Sequence, residues 1–585
     1  MRQASRPSGR RVLGTLATLL ALSVIAAGCG GAKANEKASD QNLSDKGLTA
    51  AAGESGLKDA GTPQRGGKLV YGLEADSSGG YCLPEGQLAI SGMMVVRAIY
   101  DTLTVPNNNG GYTPYLAKSV EPSSDYKTWT ITVRDGVKFH DGTALTGEVV
   151  KNNIDAYRGT YPGRSPLLFT FVLNNIASTS AQGQVVTVKT KVPWVAFPAF
   201  LYSSSRMGIM AQAQLDDKTS CDRKLIGTGP FKFVSWTPNE KLVGKRNPDY
   251  WQTAPDGKPY PYADSIEFRA IPDTQVRLNS LQSDSGTNII HTSDADNIGG
   301  SLAKLQTAGK INMLVSEDGA EVSFIQLNST VPPFNNADMR KALAMGSNRT
   351  DINQVLNDGL PTVANGPFYK DSPGYVADPG FPKYDPTEAK KLVDKYVAGG
   401  GKAAFTITST NDPNTIRIAE LVQQRAKKIG VTVKISIRDQ AALINDAIGK
   451  KYQAMLFRNY PGGDPDINYV WWYGNNNPVN FGGYDDATIN KLMDEGRSEP
   501  DPAKRKTIYQ NVNREFAKQV WSMWSWFTPW AVAEKANVHD ILGPPLPGAD
   551  ASQPGKASTD DPDYQPFTGL ATGHSLIGLW IDQKN

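Results

Sequence analysis

The chain has 585 residues, of which 39% are hydrophobic and 20% charged, and its formal net charge is +3. This length allows two or three domains, and this composition is that of a soluble globular protein. Four of the basic residues are arginines within the first 11 positions, so the remainder is close to neutral and does not have the basic excess on which nucleic-acid binding depends.

Residues 1–29 are predicted to be a lipoprotein signal peptide. Arginines precede an apolar run, Val12 to Ile25, that is too short to span a bilayer comfortably. Small residues then lead directly to Cys29, as at sites where a cysteine becomes the lipid-bearing N-terminus. An ordinary cleaved signal with an incidental cysteine is the alternative, and Arg10-Arg11 leaves twin-arginine export open beside the general route. We expect Cys29 to be lipidated and to hold the protein at the extracytoplasmic face of the cell membrane.

Residues 30–65 are predicted to be a disordered tether. Gly, Ala, Ser, Lys and acidic residues dominate this segment and aromatic residues are absent from it, so it does not bury enough apolar surface to fold. A flexible chain of this length spans roughly 30–35 Å on average. The tether would let a folded domain reach a partner in the membrane.

The folded part is predicted to begin at Gly66. Apolar residues occupy both faces of the stretch from Gly66 to Leu73, which is typical of an interior strand. Met93 to Leu103 carries apolar residues at helical spacing and is predicted to be a helix.

The stretch from Ser124 to Tyr157 carries a family signature. Trp129 to Val133 alternates as a half-buried strand does, Val137 to Phe139 is predicted to complete a hairpin with it, and Thr146 is predicted to cap the helix that follows. The amino-acid sequence of this stretch resembles the segment D-x-x-T-[WY]-T-x-x-[LV]-R-x-G-V-K-F-H-D-G-T-x-L-T of the bacterial extracellular solute-binding proteins, family 5. These are the peptide/nickel-type receptors of ABC importers. Later stretches are similar to the family in the same order: Ile226–Phe231, Asn247–Trp251, Gln326–Phe334 and Asp501–Tyr509.

The resemblance implies an α/β fold of the two-lobe, periplasmic-binding-protein-like type II, with an extra inserted subdomain. The residues of the second lobe support this directly, because the strand Ala404–Thr408, a helix with the apolar stripe Ile418 to Ile429, and the strand Val431–Ile435 form a parallel crossover unit. The expected divisions are lobe I at 66–105, 225–318 and 531–585, the inserted subdomain at 106–224, and lobe II at 319–530.

Two cysteines, Cys82 and Cys221, follow Cys29, and an exported protein with such a pair favours a disulfide. Two buried free thiols are the alternative. The four histidines stand far apart in the sequence without a metal-ligand spacing, so no metal site and no cofactor are predicted.

The ligand site is expected after the strand Gln453–Phe457. Relatives that bind peptides carry W-x-x-D-x-x-[DE]-P there, and the first Asp of that motif holds the peptide's α-amino group. Asp464-Pro465 matches the end of the motif, but the amine-binding position falls on Pro461, which puts amine-anchored capture in doubt. Aromatic residues crowd the region, and flat rings suit sugars, planar heterocycles or apolar side chains. The predicted ligand contacts are Tyr81, Asn459, Tyr460, Trp471, Trp472 and Trp526, with core packing as the alternative for about half of the aromatic residues in the region.

The resemblance implies a receptor that captures a solute between two lobes and delivers it to an ABC transporter permease in the membrane. An oligopeptide is the expected solute, and an oligosaccharide or another aromatic-stacking solute is the alternative. An enzyme is not expected, because the sequence contains no nucleophile elbow, no Cys/His arrangement and no metal spacing. We expect the protein to be a monomer that is anchored to the membrane by the lipid on Cys29.

Overall fold

The structure is a computed structural model that describes residues 61–77, 79–460, 462–548, 561–571 and 573–583. Cys29, the predicted signal peptide and the predicted tether up to residue 60 lie outside the described residues. Within these ranges the model contains no helix that is both long enough and apolar enough to cross a membrane. Arg65, at the end of the predicted tether, donates hydrogen bonds from Nε and Nη2 to the carboxylate of Asp256. Ordered contacts therefore begin before Gly66.

The strands are, in chain order, β1 Lys68–Leu73, β2 Thr104–Pro106, β3 Tyr112–Pro114, β4 Ala117–Pro122, β5 Thr128–Val133, β6 Ile176–Gln182, β7 Val185–Thr190, β8 Phe231–Thr237, β9 Lys241–Arg246, β10 Ser265–Ala270, β11 Ile289–Thr292, β12 Ile311–Leu327, β13 Ala404–Thr410, β14 Thr432–Arg438, β15 Ala454–Asn459, β16 Ser522–Lys535, β17 Val538–His539 and β18 Trp580–Ile581.

The helices are α1 Ile90–Ile99, α2 Gly147–Tyr157, α3 Thr170–Leu173, α4 Phe197–Phe200, α5 Gln212–Asp216, α6 Thr274–Gln282, α7 Ala295–Asn297, α8 Ala303–Thr307, α9 Ala337–Gly346, α10 Arg349–Asn357, α11 Pro386–Ala398, α12 Pro413–Lys428, α13 Gln440–Ile448, α14 Tyr469–Trp472, α15 Ala487–Ser498 and α16 Pro502–Gln519. Short helical turns of other types lie at Ile298–Leu302, Pro465–Asn468 and Pro562–Tyr564.

One large sheet runs through the described part of the molecule in the order β14-β13-β15-β12-β16-β11-β1-β10-β9-β8. The two central strands, β12 and β16, are long and antiparallel, and their register shifts between Ser316 and Glu321. On one side of this shift β1 pairs in parallel with β10 and β11, and on the other side β13 pairs in parallel with β14 and β15. We call the β1 side the first lobe and the β13 side the second lobe.

The predicted crossover unit of the second lobe is confirmed, since α12 connects the parallel strands β13 and β14 and packs on both. The predicted cap at Thr146 is also confirmed, and two further helices begin at acidic caps. The side chain of Asp501 caps α16, that of Asp273 caps α6, and that of Thr146 caps α2. Each accepts a backbone N–H of the first turn, which removes one of the unpaired donors of a helix start.

A separate four-stranded sheet, in the order β4-β5-β7-β6, is inserted between β3 and β8 of the first lobe. The predicted hairpin partner of β5 at Val137–Phe139 is wrong, because β5 pairs with β4 and β7 instead. Residues 137–145 form a tight turn closed by a single bridge between Lys138 and Ala144, with Gly142 at a φ of +88°. The predicted helix Met93–Leu103 also extends too far, since α1 ends at Ile99. Gly227 and Gly229 pack so closely against the Ile99 backbone that a Cβ on either glycine would overlap it.

The C-terminal tail returns to the first lobe. β17 pairs with β18, and the buried His574 ring lies 3.0 Å from the hydroxyl of Tyr71 on β1. A disulfide joins Cys82 in the loop after β1 to Cys221 in the inserted subdomain, with the two Cα atoms 5.1 Å apart. This bond ties the inserted sheet to the first lobe.

Candidate functional site

The parallel strands of the two lobes run toward each other. Three successive antiparallel pairings separate β15 from β11, so the two strands have opposite directions and their carboxyl ends meet between the lobes. Loops at the carboxyl ends of parallel strands are where α/β proteins commonly place ligands. We call this meeting region the interlobe cleft.

Arg458 is the penultimate residue of β15, and its side chain crosses the interlobe cleft. Its Nη2 donates a hydrogen bond of 2.9 Å to Oε1 of Glu74, which follows β1, and its Nη1 donates one of 2.7 Å to Oγ of Ser293, which follows β11. Its guanidinium carbon lies 5.4 Å from the ring centroid of Trp530. The side chain remains 33% exposed, so the pair formed with Glu74 is open to water on one side. A single arginine of the second lobe thus holds two residues of the first.

A second polar contact joins the lobes beside the first. Nδ2 of Asn414, in the first turn of α12, donates a hydrogen bond of 2.6 Å to Oδ2 of Asp294. Asp412 caps that helix by accepting the backbone N–H groups of Asn414 and Thr415. The N-terminal turn of α12 is therefore fixed where it faces the first lobe.

The charges in the interlobe cleft depend on one another. Burial is the largest single influence on the pKa of Glu74 and would raise it, but Arg458 and the groups around it, among them Arg277, together hold this pKa below its usual value. Burial would likewise lower the pKa of Arg458, and Glu74 together with Glu321 raises it instead. The pKa of Glu321 itself is raised, chiefly by burial, although Oε2 accepts a hydrogen bond of 3.0 Å from Nε1 of Trp530. Glu74 and Arg458 are therefore both charged at neutral pH.

The ring of His291 contacts the backbone of Glu74. The backbone N–H of Glu74 donates a hydrogen bond of 3.1 Å to Nε2 of His291, so this ring nitrogen carries no proton. Burial lowers the pKa of His291 to about 3. The imidazole thus positions the start of the loop without adding a charge.

A cavity adjoins the Glu74–Arg458 pair between the lobes. It encloses about 330 Å³, part of which opens to solvent. Its lining on the first lobe consists mainly of small residues from 75–77 and 87–92, and its lining on the second lobe consists of Gln440 and Ile444 of α13. A larger cavity of about 790 Å³ lies beside the C-terminal tail and is lined by first-lobe, inserted-subdomain and tail residues, including Arg97 and Asp101. Only the smaller cavity has walls from both lobes, so only its shape depends on how far they close.

The loop that forms the first-lobe wall is rigidly held. Asp76 accepts hydrogen bonds of 2.8 Å from the Tyr81 hydroxyl, from Nε1 of Trp236 and from the backbone nitrogen of Asn239. The disulfide at Cys82 fixes the loop one residue further on. Tyr81, predicted as a ligand contact, is fully buried and positions this loop instead.

Two of the predicted contacts lie at the interlobe cleft. Asn459 is next to Arg458 at the end of β15 and pairs with Val322 of β12. The Tyr460 ring, which is 7% exposed, lies near Gly319 and the ring of Phe567 in the C-terminal tail. Both residues flank the charged pair without entering the cavity lining.

The predicted tryptophans are packed elsewhere in the second lobe. Trp472 is buried between Phe368 and Phe516, with ring centroids 5.5 and 4.8 Å away. Trp471 is half-buried against Phe481, and Trp526 lies on β16 in a small cluster with helices α10 and α12. These contacts are those of core packing, the alternative given for these aromatic residues.

The charged residues of the interlobe cleft were not predicted. Glu74 and Arg458 are both visible as the polar residues at the ends of apolar strands, and that position was the available signal. The prediction relied instead on the many aromatic residues in this region. Several of these rings, such as Trp472, pack against residues that lie far away in the sequence.

The described residues offer little for metal binding. Within these ranges the one close group of cysteine, histidine and acidic side chains is Cys82, Glu85 and Cys221, and its two thiols are consumed by the disulfide. What the geometry can do is hold a molecule between two opposed, charged walls.

Comparison with known proteins gives a consistent result. The family model "Bacterial extracellular solute-binding proteins, family 5 Middle" matches residues 111–481. The chain is 27% identical over 437 residues to di/tripeptide-binding protein 1 of Pseudomonas aeruginosa, a match that covers 70% of this chain and 79% of that protein. It is 25% identical over 546 residues to the oligopeptide-binding protein AppA of Bacillus subtilis, which covers 86% and 91% of the two chains.

Solved structures share the fold. The binding protein AgaA of A. tumefaciens R10, solved in complex with agropinic acid, superposes with a TM-score of 0.75 at 24% identity. The match covers 89% of this chain and 99% of that one. This is the two-lobe α/β architecture with an inserted subdomain that the sequence led us to expect.

Proposed function

Because the chain belongs to family 5 of the bacterial extracellular solute-binding proteins, we propose that it captures an oligopeptide in the interlobe cleft and delivers it to the permease of an ABC importer. Members of this family bind solutes outside the cytoplasm, and they include peptide, glutathione, nickel and opine binders. The family therefore establishes a solute receptor, and the choice of a peptide is our proposal.

The observation that carries this proposal is the position of Arg458. It is bonded to Glu74 and Ser293 of the opposite lobe, beside a cavity that both lobes line. A solute that contacts both walls would stabilise the closed arrangement over the open one, which is how a ligand shifts a two-state equilibrium. Charged and hydrogen-bonding walls suit the termini and amide groups of a short peptide.

We propose that the lobes turn about the register shift in β12 and β16. The shift lies between Ser316 and Glu321, and Gly319 within it has a φ of +56°. This position is consistent with a boundary between lobe I (66–105, 225–318 and 531–585) and lobe II (319–530), with the inserted subdomain at 106–224. Two chain crossings side by side would restrict the motion to a hinge.

An oligosaccharide is the weaker proposal. Sugar recognition would use exposed aromatic faces, whereas Trp472 and Trp526 are 7% and 6% exposed within packed clusters. The charged groups Glu74, Arg458 and Glu321 instead favour a solute that carries charge. We propose a receptor that releases its solute unchanged.

Mass spectrometry of the mature N-terminus tests the membrane part of the proposal. We propose a monomer anchored by a lipid on Cys29, with a permease as its membrane partner. A mature chain that starts at diacylated Cys29 is expected, and a chain that starts elsewhere would rule out this anchor.

Native mass spectrometry tests the proposed solute. The full chain is mixed with an equimolar library of di- to pentapeptides and, separately, with a mixture of oligosaccharides of similar mass. We expect mass shifts that match intact peptides, and no cleavage products after prolonged incubation. Adducts with the sugars alone would support the alternative, and turnover of either mixture would identify an enzyme. Absence of any peptide adduct would contradict the peptide proposal.

A further inference from the structure

We propose that the Glu74–Arg458 pair is the recognition site for a short zwitterionic peptide, with Glu74 binding its ammonium group and Arg458 its carboxylate. The inference rests on the proposed function and adds the residues that read the two ends of the solute. It begins from an ion pair whose members belong to opposite lobes.

Separation of the lobes would break this pair. Arg458 is on β15 of the second lobe, and both of its hydrogen-bonded partners, Glu74 and Ser293, are in the first lobe. Arg277, a further cation near Glu74, is committed to the backbone carbonyls of Ile271, Pro272 and His291. An opened cleft would therefore present the Glu74 carboxylate on one wall and the Arg458 guanidinium on the other. Nε of Arg458 would keep its ion pair with Glu321 of the same lobe, 3.8 Å away, while both Nη atoms would lose their first-lobe partners.

A zwitterionic solute matches both walls at once. A planar guanidinium can bind a carboxylate through two parallel hydrogen bonds, and a carboxylate accepts readily from an ammonium group. A solute with a single charge would satisfy one wall and leave the other charge desolvated without a partner as the cleft closes, which is unfavourable. The internal pair would thus be exchanged for two pairs made with the solute.

The sequence supplies an independent reason for Glu74. Proline stands at position 461, where peptide-binding relatives are expected to carry the acid that holds the α-amino group. Glu74 approaches the same region from the other lobe through its contact with Arg458, 384 residues away in the sequence. Glu74 supplies a negative charge that the side chain at position 461 does not.

The neighbouring cavity encloses little space in this arrangement of the lobes, because its volume of about 330 Å³ includes open solvent. Its first-lobe wall includes Ala75, Ala89, Ser91 and Gly92, small residues against which a side chain of the solute would lie once the lobes separate. Glu74 and Arg458 lie within hydrogen-bonding distance of each other, so a short solute is enough to reach both. Di- and tripeptides are therefore the proposed solutes.

Blocked peptides test the assignment end by end. Three equimolar libraries of the same di- and tripeptides are compared: one free, one N-acetylated and one C-amidated. Wild-type protein is expected to bind the free library and to lose about 10-fold or more in affinity for each blocked library. In Glu74→Gln, free and acetylated peptides should bind about equally. In Arg458→Gln, free and amidated peptides should bind about equally.

Matched control variants separate the loss of a charge inside the interlobe cleft from the loss of the same charge elsewhere on the surface. Glu388→Gln on α11 and Arg246→Gln on β9 remove the same charges from solvent-accessible ion pairs outside the interlobe cleft, so both should discriminate as wild type does. The wild-type comparison needs no variant and stands even where a substitution disturbs folding.

The outcomes separate this inference from the proposed function. If wild-type protein binds free and blocked libraries equally, the recognition of termini is refuted while the peptide receptor stands. If wild type discriminates but Glu74→Gln and Arg458→Gln discriminate equally well, the termini are read elsewhere. If the free library does not bind wild-type protein, the proposed peptide function fails and this inference falls with it.

Discussion

Arg458 shows how one residue can have a role that its local sequence does not reveal. It follows an apolar strand, is next to two predicted contacts, and was visible in the sequence as a charge at a strand end. Its importance comes from Glu74 and Ser293, which the fold brings to it from far along the chain. The helix cap at Thr146 was predicted correctly because its partner, the backbone N–H of Val149, lies within one turn.

At the residue scale, the account predicts a distinct pH dependence for His291. Burial lowers the pKa of His291 to about 3, whereas an unfolded histidine titrates near pH 6.5. As the pH falls through this window the unfolded chain takes up a proton that the folded protein refuses, so the free energy of unfolding falls. Between pH 7.5 and 5 this one group should contribute a loss of about 2 kcal/mol.

The comparison of wild type with His291→Gln checks that value. Denaturant unfolding at pH 7.5 and pH 5 should show that the variant loses about 2 kcal/mol less than wild type over this interval. The variant should be the less stable protein at pH 7.5, because the hydrogen bond from Glu74 and the packing under Trp530 are disturbed. An identical pH dependence in both proteins would show that His291 is not held neutral.

Trp472 provides a second test at this scale. Its ring packs between Phe368 and Phe516, so Trp472→Ala should reduce the free energy of unfolding by about 3–5 kcal/mol. Trp471→Ala, at a half-buried ring, should cost clearly less. Denaturant titration measures both values. A Trp472→Ala protein of normal stability that has lost peptide binding would instead make this ring a ligand contact.

At the scale of elements, a loop of the inserted subdomain contacts the second lobe directly. Trp194, which is fully buried, donates a hydrogen bond of 2.8 Å from Nε1 to Oδ2 of Asp466 in the second lobe. The backbone nitrogen of Val195 donates one of 3.0 Å to the carbonyl of Arg497, whose guanidinium carbon lies 4.8 Å from the Trp194 ring centroid. Since the disulfide at Cys221 ties the subdomain to the first lobe, this contact also bridges the lobes.

Trp194→Phe should therefore weaken solute binding without touching the solute. The substitution keeps a ring in the pocket and removes the hydrogen bond to the buried Asp466, and a bond to a charged group is worth about 1.5–3 kcal/mol. We expect affinity for the free peptide library to fall by about 10-fold or more. Titration monitored by native mass spectrometry measures the change.

Trp251→Phe is the matched control for this prediction. The Trp251 indole also donates to a buried carboxylate, Asp101 at 3.0 Å, but both partners lie in the first lobe. It should leave solute affinity close to the wild-type value. Equal losses in the two variants would mean that the Trp194 contact has no special part in closure.

Regular elements were predicted well, whereas strand pairings and contacts that depend on loops or on distant segments were predicted poorly. The unit β13-α12-β14 was visible from its periodicity because each element packs one face on its neighbours. The hairpin at Val137–Phe139 was not formed, since β5 finds better partners in β4 and β7 from outside the segment. The Trp194 contact depends on two regions that no local pattern connects.

At the scale of the whole molecule, two long strands connect two halves that face each other. β12 and β16 pass from lobe to lobe and shift register between Ser316 and Glu321. This arrangement turns the parallel strands of the lobes toward each other and gathers their carboxyl ends in one cleft. The motif order along the chain was sufficient to predict that architecture. The residues that meet in the cleft depend on distances through the fold, so they became visible only in the structure.

A crystal structure of the protein with a peptide captured from the free di- and tripeptide library would show where and in which direction the solute binds. We expect the peptide between the lobes, with its amino end at Glu74, its carboxylate at Arg458 and a side chain in the cavity lined by Ala75 and Gln440. A peptide bound in the larger cavity beside the C-terminal tail, or on a surface of one lobe alone, would contradict this expectation.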